Sequence, residues 1–385
     1  MNRETLTSRE RVIRTLKRQP VDRLPLDLGS HTATGISAFA YWNLRKHLGL
    51  STDGIWIPDA VQLTAYVDED IRRRFHLDCV MLETPWPQPA KWKPREGFEF
   101  TIPAAMQPVL SASGEWLVRQ GEQTMRMPPG GYFFDGAWLS YWGLGNEDSD
   151  LAAYAREAER IFKETPYATN FNGRVYGGGF NAFFGGVDRL VQMLEDPQAV
   201  HEEHRVRCDE FIRRAGKIID LLGSYVQLLT VCDDMGMQQG PLCSPALVEQ
   251  CVAPYLKRFC SFIHRNSDIK VFMHNCGSIL PLIPILIDCG VDVLNPVQIS
   301  ARNMDPHELK RRFGDRLVFW GGGCDTQNVL DKGTPQAVSQ NVRELVRTFK
   351  PGGGYVFNQV HNILGNVPSE NIVAMLDTAY EESFY

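Results

Sequence analysis

Residues 269–320 read IKVFMHNCGSILPLIPILIDCGVDVLNPVQISARNMDPHELKRRFGDRLVFW. Short apolar runs rich in Val, Leu, Ile and Phe alternate here with longer segments whose apolar residues recur at helical spacing. The order is strand-like 269–273, helical 278–289, strand-like 291–294, helical 305–313 and strand-like 317–320. Such alternation is typical of βαβ units, in which helices cover both faces of a parallel sheet.

The same alternation extends outward from this stretch to most of the chain. Candidate strands lie near residues 24, 79, 174, 226, 269, 291, 317 and 355. Among the segments between them, 59–76 and 186–222 are predicted to be helical. Eight parallel strands with intervening helices predict a (β/α)₈ TIM barrel, although a doubly wound open sheet would show much the same alternation. We therefore expect residues 1–385 to form a single barrel domain.

Residues 86–140 interrupt the pattern. They are rich in Pro, Gly, Trp and Phe, and the runs 115–119 and 123–127 alternate in the manner of hairpin strands. We predict an inserted β-rich segment that covers the barrel mouth; a surface hairpin used for dimer contacts is the alternative. The aromatic residues expected to line the mouth are Trp86, Trp92, Tyr132 and Phe133.

The amino-acid composition argues against several classes of protein. Hydrophobic residues make up 43% and charged residues 22% of the chain, as in globular proteins with a large core. A formal charge of -6 without a basic block argues against a nucleic-acid partner. The polar start and the lack of a long apolar run predict a cytoplasmic protein without a membrane span. Nine scattered cysteines argue against a disulfide framework.

Polar residues follow several of the predicted strands, where barrel enzymes carry their active sites. His274 and Cys276 follow the fifth strand two positions apart, so they point the same way in extended chain, and Cys324 follows the seventh strand 48 positions after Cys276. One imidazole and two thiolates would suit a catalytic zinc with an open fourth position. Alternatively, the cysteines are inert core residues and His274 is a hydrogen-bonded rim residue.

Other strand ends offer further candidates. Asp233 and Asp234 follow the fourth strand, and because consecutive strand residues point to opposite faces, only one can enter the pocket. The glycines at 321–323 could bind phosphate through backbone N–H groups. The remaining candidates are Tyr176 and His361 as inward hydrogen-bond donors, and Asp27, His31, Gln298 and Asn358 as substrate-binding residues.

Four stretches of the chain resemble the uroporphyrinogen decarboxylase superfamily. They are VCDDMG at 231–236, FMHNCG at 272–277, GVDVLNPVQ at 290–298 and FGDRLVFWGGGCD at 313–325. The resemblance covers nearly the whole chain and is most specific from about residue 225 onward. It implies a barrel, and it favours Asp234 over its neighbour as the catalytic carboxylate.

The resemblance also separates the two main activities of the superfamily. True decarboxylases carry an arginine-rich segment after the first strand that holds the substrate carboxylates, whereas residues 26–35 here contain no arginine. His274-x-Cys276 followed by Cys324 is similar to the zinc pattern of the corrinoid-linked methyltransferases. In those enzymes zinc activates a thiol acceptor or assists cleavage of a methyl donor.

The predicted function is therefore a zinc-dependent methyltransferase, with phenyl methyl ethers as the first choice of donor. Residues 305–310 lack the glycine of the corrinoid-binding signature, so the corrinoid should sit on a separate partner protein. The alternatives are a decarboxylase resembling uroporphyrinogen decarboxylase, a methylcorrinoid:thiol or folate methyltransferase, and a non-enzymatic corrinoid or tetrapyrrole binder. A homodimer is possible, and the sequence leaves the methyl donor or acceptor, the direction of transfer and the fourth zinc ligand open.

Overall fold

A computed structural model describes residues 3–59, 61–83, 88–136, 148–172 and 182–385. Its centre is a curled parallel sheet of seven strands, whose order along the sheet is the same as their order along the chain. These strands are Cys79–Met81, Ala168–Phe171, Leu228–Cys232, Lys270–His274, Val293–Asn295, Val318–Trp320 and Tyr355–Val356.

Residues 24–28 close this sheet into a barrel. Leu26 forms a parallel bridge with Phe357, and the N–H of Asp27 donates to the Phe357 carbonyl at 2.9 Å. On the other side, the Asp78 N–H donates to the Leu26 carbonyl at 2.8 Å. The first and last strands are thereby joined through residues 24–28, which confirms the predicted (β/α)₈ barrel.

Helices form the outer layer. Four of those in the described residues begin with a capping side chain followed by proline, and each of these four has buried apolar residues. The helices are Ser8–Leu16, Ala38–His47, Glu69–Arg74, Asp148–Glu164, Gly186–Glu195, Pro197–Leu222, Pro245–Cys251, Ala253–Asn266, Ile283–Cys289, Pro306–Phe313, Pro335–Phe349 and Ser369–Ser383.

The first helix, Ser8–Leu16, closes the N-terminal end of the barrel. Thr7 caps it in a capping box with Glu10, because each side chain accepts from the other residue's backbone N–H. Its Val12 and Leu16 pack into the cluster of buried side chains inside the barrel, the inner core. The other members of that core are strand residues facing the barrel interior: Cys79, Ala168, Leu228, Phe272, Val293, Val318, Trp320 and Val356. The opposite end of the barrel is left for the site.

The segment between the second and third barrel strands is β-rich, as predicted. Pro89–Trp92 pairs antiparallel with Phe100–Pro103, and a separate four-stranded sheet is built around Trp116–Gln120 and Gln123–Met127. The short outer strands of that sheet are Val109–Leu110 and Asp135–Gly136, and a 3-10 turn spans Ala104–Met106.

The structure corrects three element predictions. The third barrel strand is Ala168–Phe171, whose inward positions carry Ala and Asn and so lack an apolar signal, and the predicted run near 174 lies outside the described residues. Most of 59–76 is not helical, since Asp59 accepts the N–H groups of Val61 and Gln62 and holds a turn that competes with a helix. The predicted helix 186–222 is two helices, with Asp196 capping the second.

Within these described ranges, no helix is both long enough and apolar enough to cross a membrane.

Candidate metal centre

His274 is the centre of the polar cluster at the C-terminal end of the barrel. It is the last residue of Lys270–His274, and the sheet register places it opposite Cys232 on one side and Asn295 on the other. The imidazole is 3% exposed. All three residues therefore face the barrel interior at the same level.

Asn295 fixes the orientation of the His274 ring. Its Oδ1 lies 3.0 Å from His274 Nδ1, and its own amide is set because Nδ2 donates to the Trp320 carbonyl at 3.0 Å. The Nδ1 of His274 therefore carries the proton as a donor, and Nε2 presents its lone pair to the Cys276 Sγ, 3.4 Å away. An outer partner that fixes tautomer and ring orientation is usual for metal-binding histidines.

Asp234 lies beside this pair, whereas Asp233 does not. Oδ1 of Asp234 accepts from the Cys276 N–H at 2.8 Å and lies 3.9 Å from His274 Nε2. The Asp233 carboxylate instead accepts the N–H groups of Phe183 and Phe184, and burial raises its pKa to about 7. The two neighbouring aspartates thus have different roles.

Two glycines allow the loops that carry these residues to meet. A Cβ added at Gly277 would lie 2.5 Å from the carbonyl carbon of Gly236, and one at Gly236 would lie 2.4 Å from the Cys276 carbonyl oxygen. Contacts of that length exclude any side chain. The close crossing of the two loops is what brings Asp234 and Cys276 together.

The rings of two further histidines contact the His274 ring. The ring of His31 stacks on that of His274 with centroids 5.9 Å apart, and the ring of His361 meets it edge-on at 5.4 Å. Burial and the nearby His274 lower the pKa of both, to about 3 for His361, so both rings are neutral. The Asn362 N–H donates to His361 Nδ1 at 2.8 Å, which leaves the ring proton on Nε2.

Possible ligand atoms converge in two groups among the described residues, and both contain His274. One consists of His274, Cys276 and His361, and the other of Cys232, Asp234 and His274, with ligand atoms within 4.8 Å of one another in each. Nitrogen, thiol and carboxylate donors at this spacing fit zinc. Cys324 belongs to neither group.

Burial holds the site thiols in the protonated form without a cation. It raises the pKa of Cys276 and Cys232 well above the ordinary value, and the Asp234 carboxylate raises both further. A bound divalent cation deprotonates a coordinating thiol. The donor set is therefore consistent with a metal but not with a free catalytic thiolate.

The remaining predicted residues have other surroundings. Asp27 is fully buried, where its carboxylate accepts from Trp320 Nε1 at 2.8 Å and Ser30 Oγ at 2.8 Å. The Asn358 amide donates to the carbonyl of Asp27 inside the barrel. Gln298 accepts from the Gly277 N–H at 2.7 Å, next to Cys276. Tyr176 and Trp86 lie outside the described residues.

The glycines at 321–323 are buried rather than open. A Cβ on Gly323 would lie 2.4 Å from the Phe357 ring, and one on Gly322 would lie 3.0 Å from Val297. These glycines allow close packing between loops. The loop therefore has no open backbone N–H groups for the phosphate site considered as an alternative for these glycines.

A pocket of about 250 Å³ opens beside His361. The β-rich segment contributes Tyr132, Phe133 and Phe134 to its wall, and the loop after the last strand contributes His361 and Asn362. Trp92 is instead packed in the core of the segment against Phe100 and Trp116. None of the described residues that line this pocket is Arg or Lys.

Sequence reasoning did not single out Asn295 or Cys232. Both end a barrel strand, as His274 does, so the same rule that selected His274 applies to them. The position of each residue at a strand end could have identified it, but neither residue belongs to a recognisable motif.

Comparison with known proteins identifies the family. Residues 186–382, about half of the chain, match the family model of uroporphyrinogen decarboxylase (URO-D). The uroporphyrinogen decarboxylase of Pseudoalteromonas translucida is 26% identical over 218 residues, which is 54% of this chain and 54% of that protein. That of Psychromonas ingrahamii is 28% identical over 178 residues, covering 44% of this chain and 46% of that protein. The chain thus spans about half the length of the curated relatives it matches.

A solved structure extends the likeness to the whole fold. A methyltransferase from Methanosarcina mazei covers 98% of this chain and 99% of its own, with a TM-score of 0.58 and 14% sequence identity. At that identity the match shows a shared barrel architecture. The family-model match over residues 186–382 shows that this chain, whose barrel has the same architecture, belongs to the uroporphyrinogen decarboxylase family.

Proposed function

We propose that the chain is a zinc-dependent methyltransferase that moves a methyl group between a small molecule and a corrinoid held by a separate protein. The observation that carries the proposal is the pairing of His274 Nε2 with Cys276 Sγ at 3.4 Å, with the ring oriented by Asn295. An imidazole and a thiol at a barrel mouth, with an amide that orients the imidazole, are suited to bind a metal ion.

The chemistry that a bound zinc supplies is stabilisation of negative charge on a methyl-bearing oxygen or sulfur, or retention of an acceptor thiol as thiolate. His274 and Cys276 would hold it, with the remaining ligands drawn from the two groups around His274. The sequence-based assignment of Cys324 as the third ligand stays a prediction.

The other side chains position substrate and control protons. His361 keeps its proton on Nε2, because Nδ1 accepts from Asn362, so it can donate a hydrogen bond to a methyl-bearing atom at any neutral pH. Asp234, held by the Cys276 N–H, can accept a proton from an incoming thiol or phenol. The rings of Tyr132 and Phe133 line the pocket beside His361 and offer apolar contacts that favour an aryl ether.

Decarboxylation of uroporphyrinogen is the second candidate, because the curated relatives named above carry that name. An octacarboxylate needs several cationic partners, and the described pocket lining offers none. The loop after residues 24–28 places the neutral His31 next to His274 instead. These features favour methyl transfer.

The proposal is tested by metal analysis and a methyl-transfer assay on the purified protein. We expect about one zinc per chain, and loss of cob(I)alamin absorbance on addition of methoxyphenols only when the protein is present. Cys276→Ala should lose the metal and the activity, whereas Cys289→Ala, a buried thiol that donates to the Ala253 carbonyl, should keep both.

Three outcomes would overturn the proposal. The first is a fully active protein that carries no metal, and the second is a Cys276→Ala variant with unchanged zinc content. The third is release of carbon dioxide from uroporphyrinogen in the absence of any corrinoid.

A further inference from the structure

The pocket beside His361 contains polar side chains that have no role in the metal site. Ser37, Gln62 and Asn362 line it together with the aromatic side chains, and none of its described lining residues is Arg or Lys. We propose that the methyl donor is an uncharged methoxyphenol whose ring hydroxyl is held between Ser37 and Gln62. This inference rests on the proposed function, because it names the substrate class of the same site.

Ser37 has a hydroxyl group without a hydrogen-bond partner among the described residues. It is the N-cap of Ala38–His47, where a serine usually accepts a backbone N–H of the first turn, yet its side chain makes no capping bond. Its backbone N–H donates to the Ile363 carbonyl and its carbonyl accepts from the Tyr41 N–H, both at 2.8 Å. The residue is 4% exposed. Because buried polar groups nearly always have a partner, this hydroxyl is suited to bind a ligand.

Asn362 determines which end of the Gln62 amide can donate. Its Oδ1 accepts from the Gly35 N–H at 2.8 Å, so its Nδ2 is the atom that donates to Gln62, at 2.6 Å. The Gln62 atom that faces it must be Oε1, and Nε2 is left as a donor without an acceptor among the described side chains and carbonyls. Asn362 also keeps the His361 proton on Nε2. The pocket therefore has two oriented N–H donors.

Ser37 and Gln62 contact the same loop and line the same pocket. Ser37 is hydrogen-bonded to Ile363 and Gln62 to Asn362, the two residues that follow His361. A phenol hydroxyl donates one proton and accepts through its lone pairs, so it matches the amide of Gln62 on one side and the oxygen of Ser37 on the other. The methoxy oxygen of the same ring can then accept from His361 Nε2.

The size of the pocket fits a single ring. Its volume is about 250 Å³, whereas pockets for drug-sized ligands are usually about 300–1,000 Å³. The Tyr132 ring is packed directly on the backbone of Gly365, where an added Cβ would lie 2.1 Å from the ring. The aromatic wall is therefore held against the loop that carries His361.

The charges around the pocket favour an uncharged ligand. Asp135 adds a carboxylate to the described lining. Arg95 contacts the Tyr132 ring, but its Nη1 and Nη2 donate to the carbonyls of Gly130 and Gly131. A methoxybenzoate would bring a second carboxylate into the pocket without a cationic partner among these residues, and burial of an unpaired charge is costly.

The test is calorimetric measurement of ligand binding to the purified full-length protein, without a corrinoid. The probes are the three isomers of methoxyphenol, methoxybenzene and 4-methoxybenzoate. Wild type should bind its best methoxyphenol at least about fivefold more tightly than methoxybenzene, because the ring hydroxyl gains two hydrogen bonds. It should bind 4-methoxybenzoate more than about tenfold more weakly than that methoxyphenol.

Ser37→Ala should lose about 2- to 12-fold in affinity for the methoxyphenol and nothing for methoxybenzene, because only one hydrogen bond disappears. Gln62→Met, which replaces the amide by an apolar side chain of similar length, should act in the same direction. Thr15→Val is the control, since the Thr15 hydroxyl is also buried without a partner among the described residues but lies in Ser8–Leu16, at the opposite end of the barrel. It should bind every probe as wild type does.

Equal affinities of wild type for methoxyphenol and methoxybenzene, or tighter binding of 4-methoxybenzoate, would overturn the inference. Equal losses for methoxyphenol and methoxybenzene in Ser37→Ala would do the same, because they indicate a structural change rather than a lost hydrogen bond. If Ser37→Ala does not fold, the comparison of Gln62→Met with wild type decides in the same way.

Failure of the proposed function has a different signature. Selective binding of methoxyphenols without methyl transfer to a corrinoid refutes the proposed function and leaves the phenol-binding role of Ser37 in place. Methyl transfer from 4-methoxybenzoate at the rate found for methoxyphenol refutes this inference alone.

Discussion

Asn295 is the residue whose replacement should weaken metal affinity without altering a proposed ligand. It joins His274 Nδ1, 3.0 Å from its Oδ1, to the Trp320 carbonyl, 3.0 Å from its Nδ2, and it is completely buried. Asn295→Ala removes both contacts without touching a proposed ligand atom. The His274 ring then loses the acceptor that fixes its tautomer and orientation.

The expected magnitudes follow from these contacts. Loss of an outer-shell partner of a metal-binding histidine weakens metal affinity by about 10- to 100-fold, or about 1.4–2.8 kcal/mol. The free energy of unfolding should also fall, because a buried donor and a buried acceptor lose their partner at about 1–3 kcal/mol each.

The assay is zinc affinity by chelator competition, together with urea unfolding of the metal-free protein. Asn371→Ala is the matched control, since this buried amide donates to the Leu330 and Gly333 carbonyls away from the site. It should lose stability and keep its zinc affinity. Equal zinc affinities for wild type, Asn371→Ala and Asn295→Ala would refute the orienting role of Asn295.

Three other predictions concern stability and loop packing. Burial raises the pKa of Glu83 to about 7 from 4.5, so the folded state keeps a proton that the unfolded state loses and stability falls as pH rises through this window. Glu83→Gln should therefore gain up to about 3 kcal/mol over wild type at pH 8 and nothing at pH 4, as urea unfolding would show. Arg23→Met breaks a buried ion pair with Asp78, 2.7 Å long, and should lower the free energy of unfolding by about 3 kcal/mol. This is the lower end of the usual range, because Arg11 still holds the carboxylate. An unchanged thermal midpoint would contradict this prediction. Gly277→Ala should abolish zinc binding while the barrel still folds, because the added Cβ collides with the facing loop. Gly352 also has a positive φ, but no atom lies within 4 Å of a Cβ added there. Gly352→Ala should therefore bind zinc normally in the same titration.

The sequence by itself determined the barrel and where the candidate site residues lie along the strands. The alternation of apolar runs and helical segments from residue 225 onward is a local property, so it can be recognised without knowledge of long-range contacts. The structure confirms it in the order of the five paired strands that follow residue 225. The two-residue spacing of His274 and Cys276 is likewise a local property of extended chain, and their ligand atoms are indeed 3.4 Å apart. The opposite directions of Asp233 and Asp234 follow from the same alternation.

Tertiary structure alone decided what joins His274 from other parts of the chain. Cys232 and Asn295 meet it through the barrel register, which depends on how three strands separated by helices are aligned. For Cys324 the strand alternation cannot be extended past Trp320, because Gly321 and Gly322 have φ values of 121° and 71° and turn the chain. Side-chain direction after such a turn is set by packing against neighbouring loops rather than by counting residues, and nine cysteines in one sequence offered no means of choosing among them.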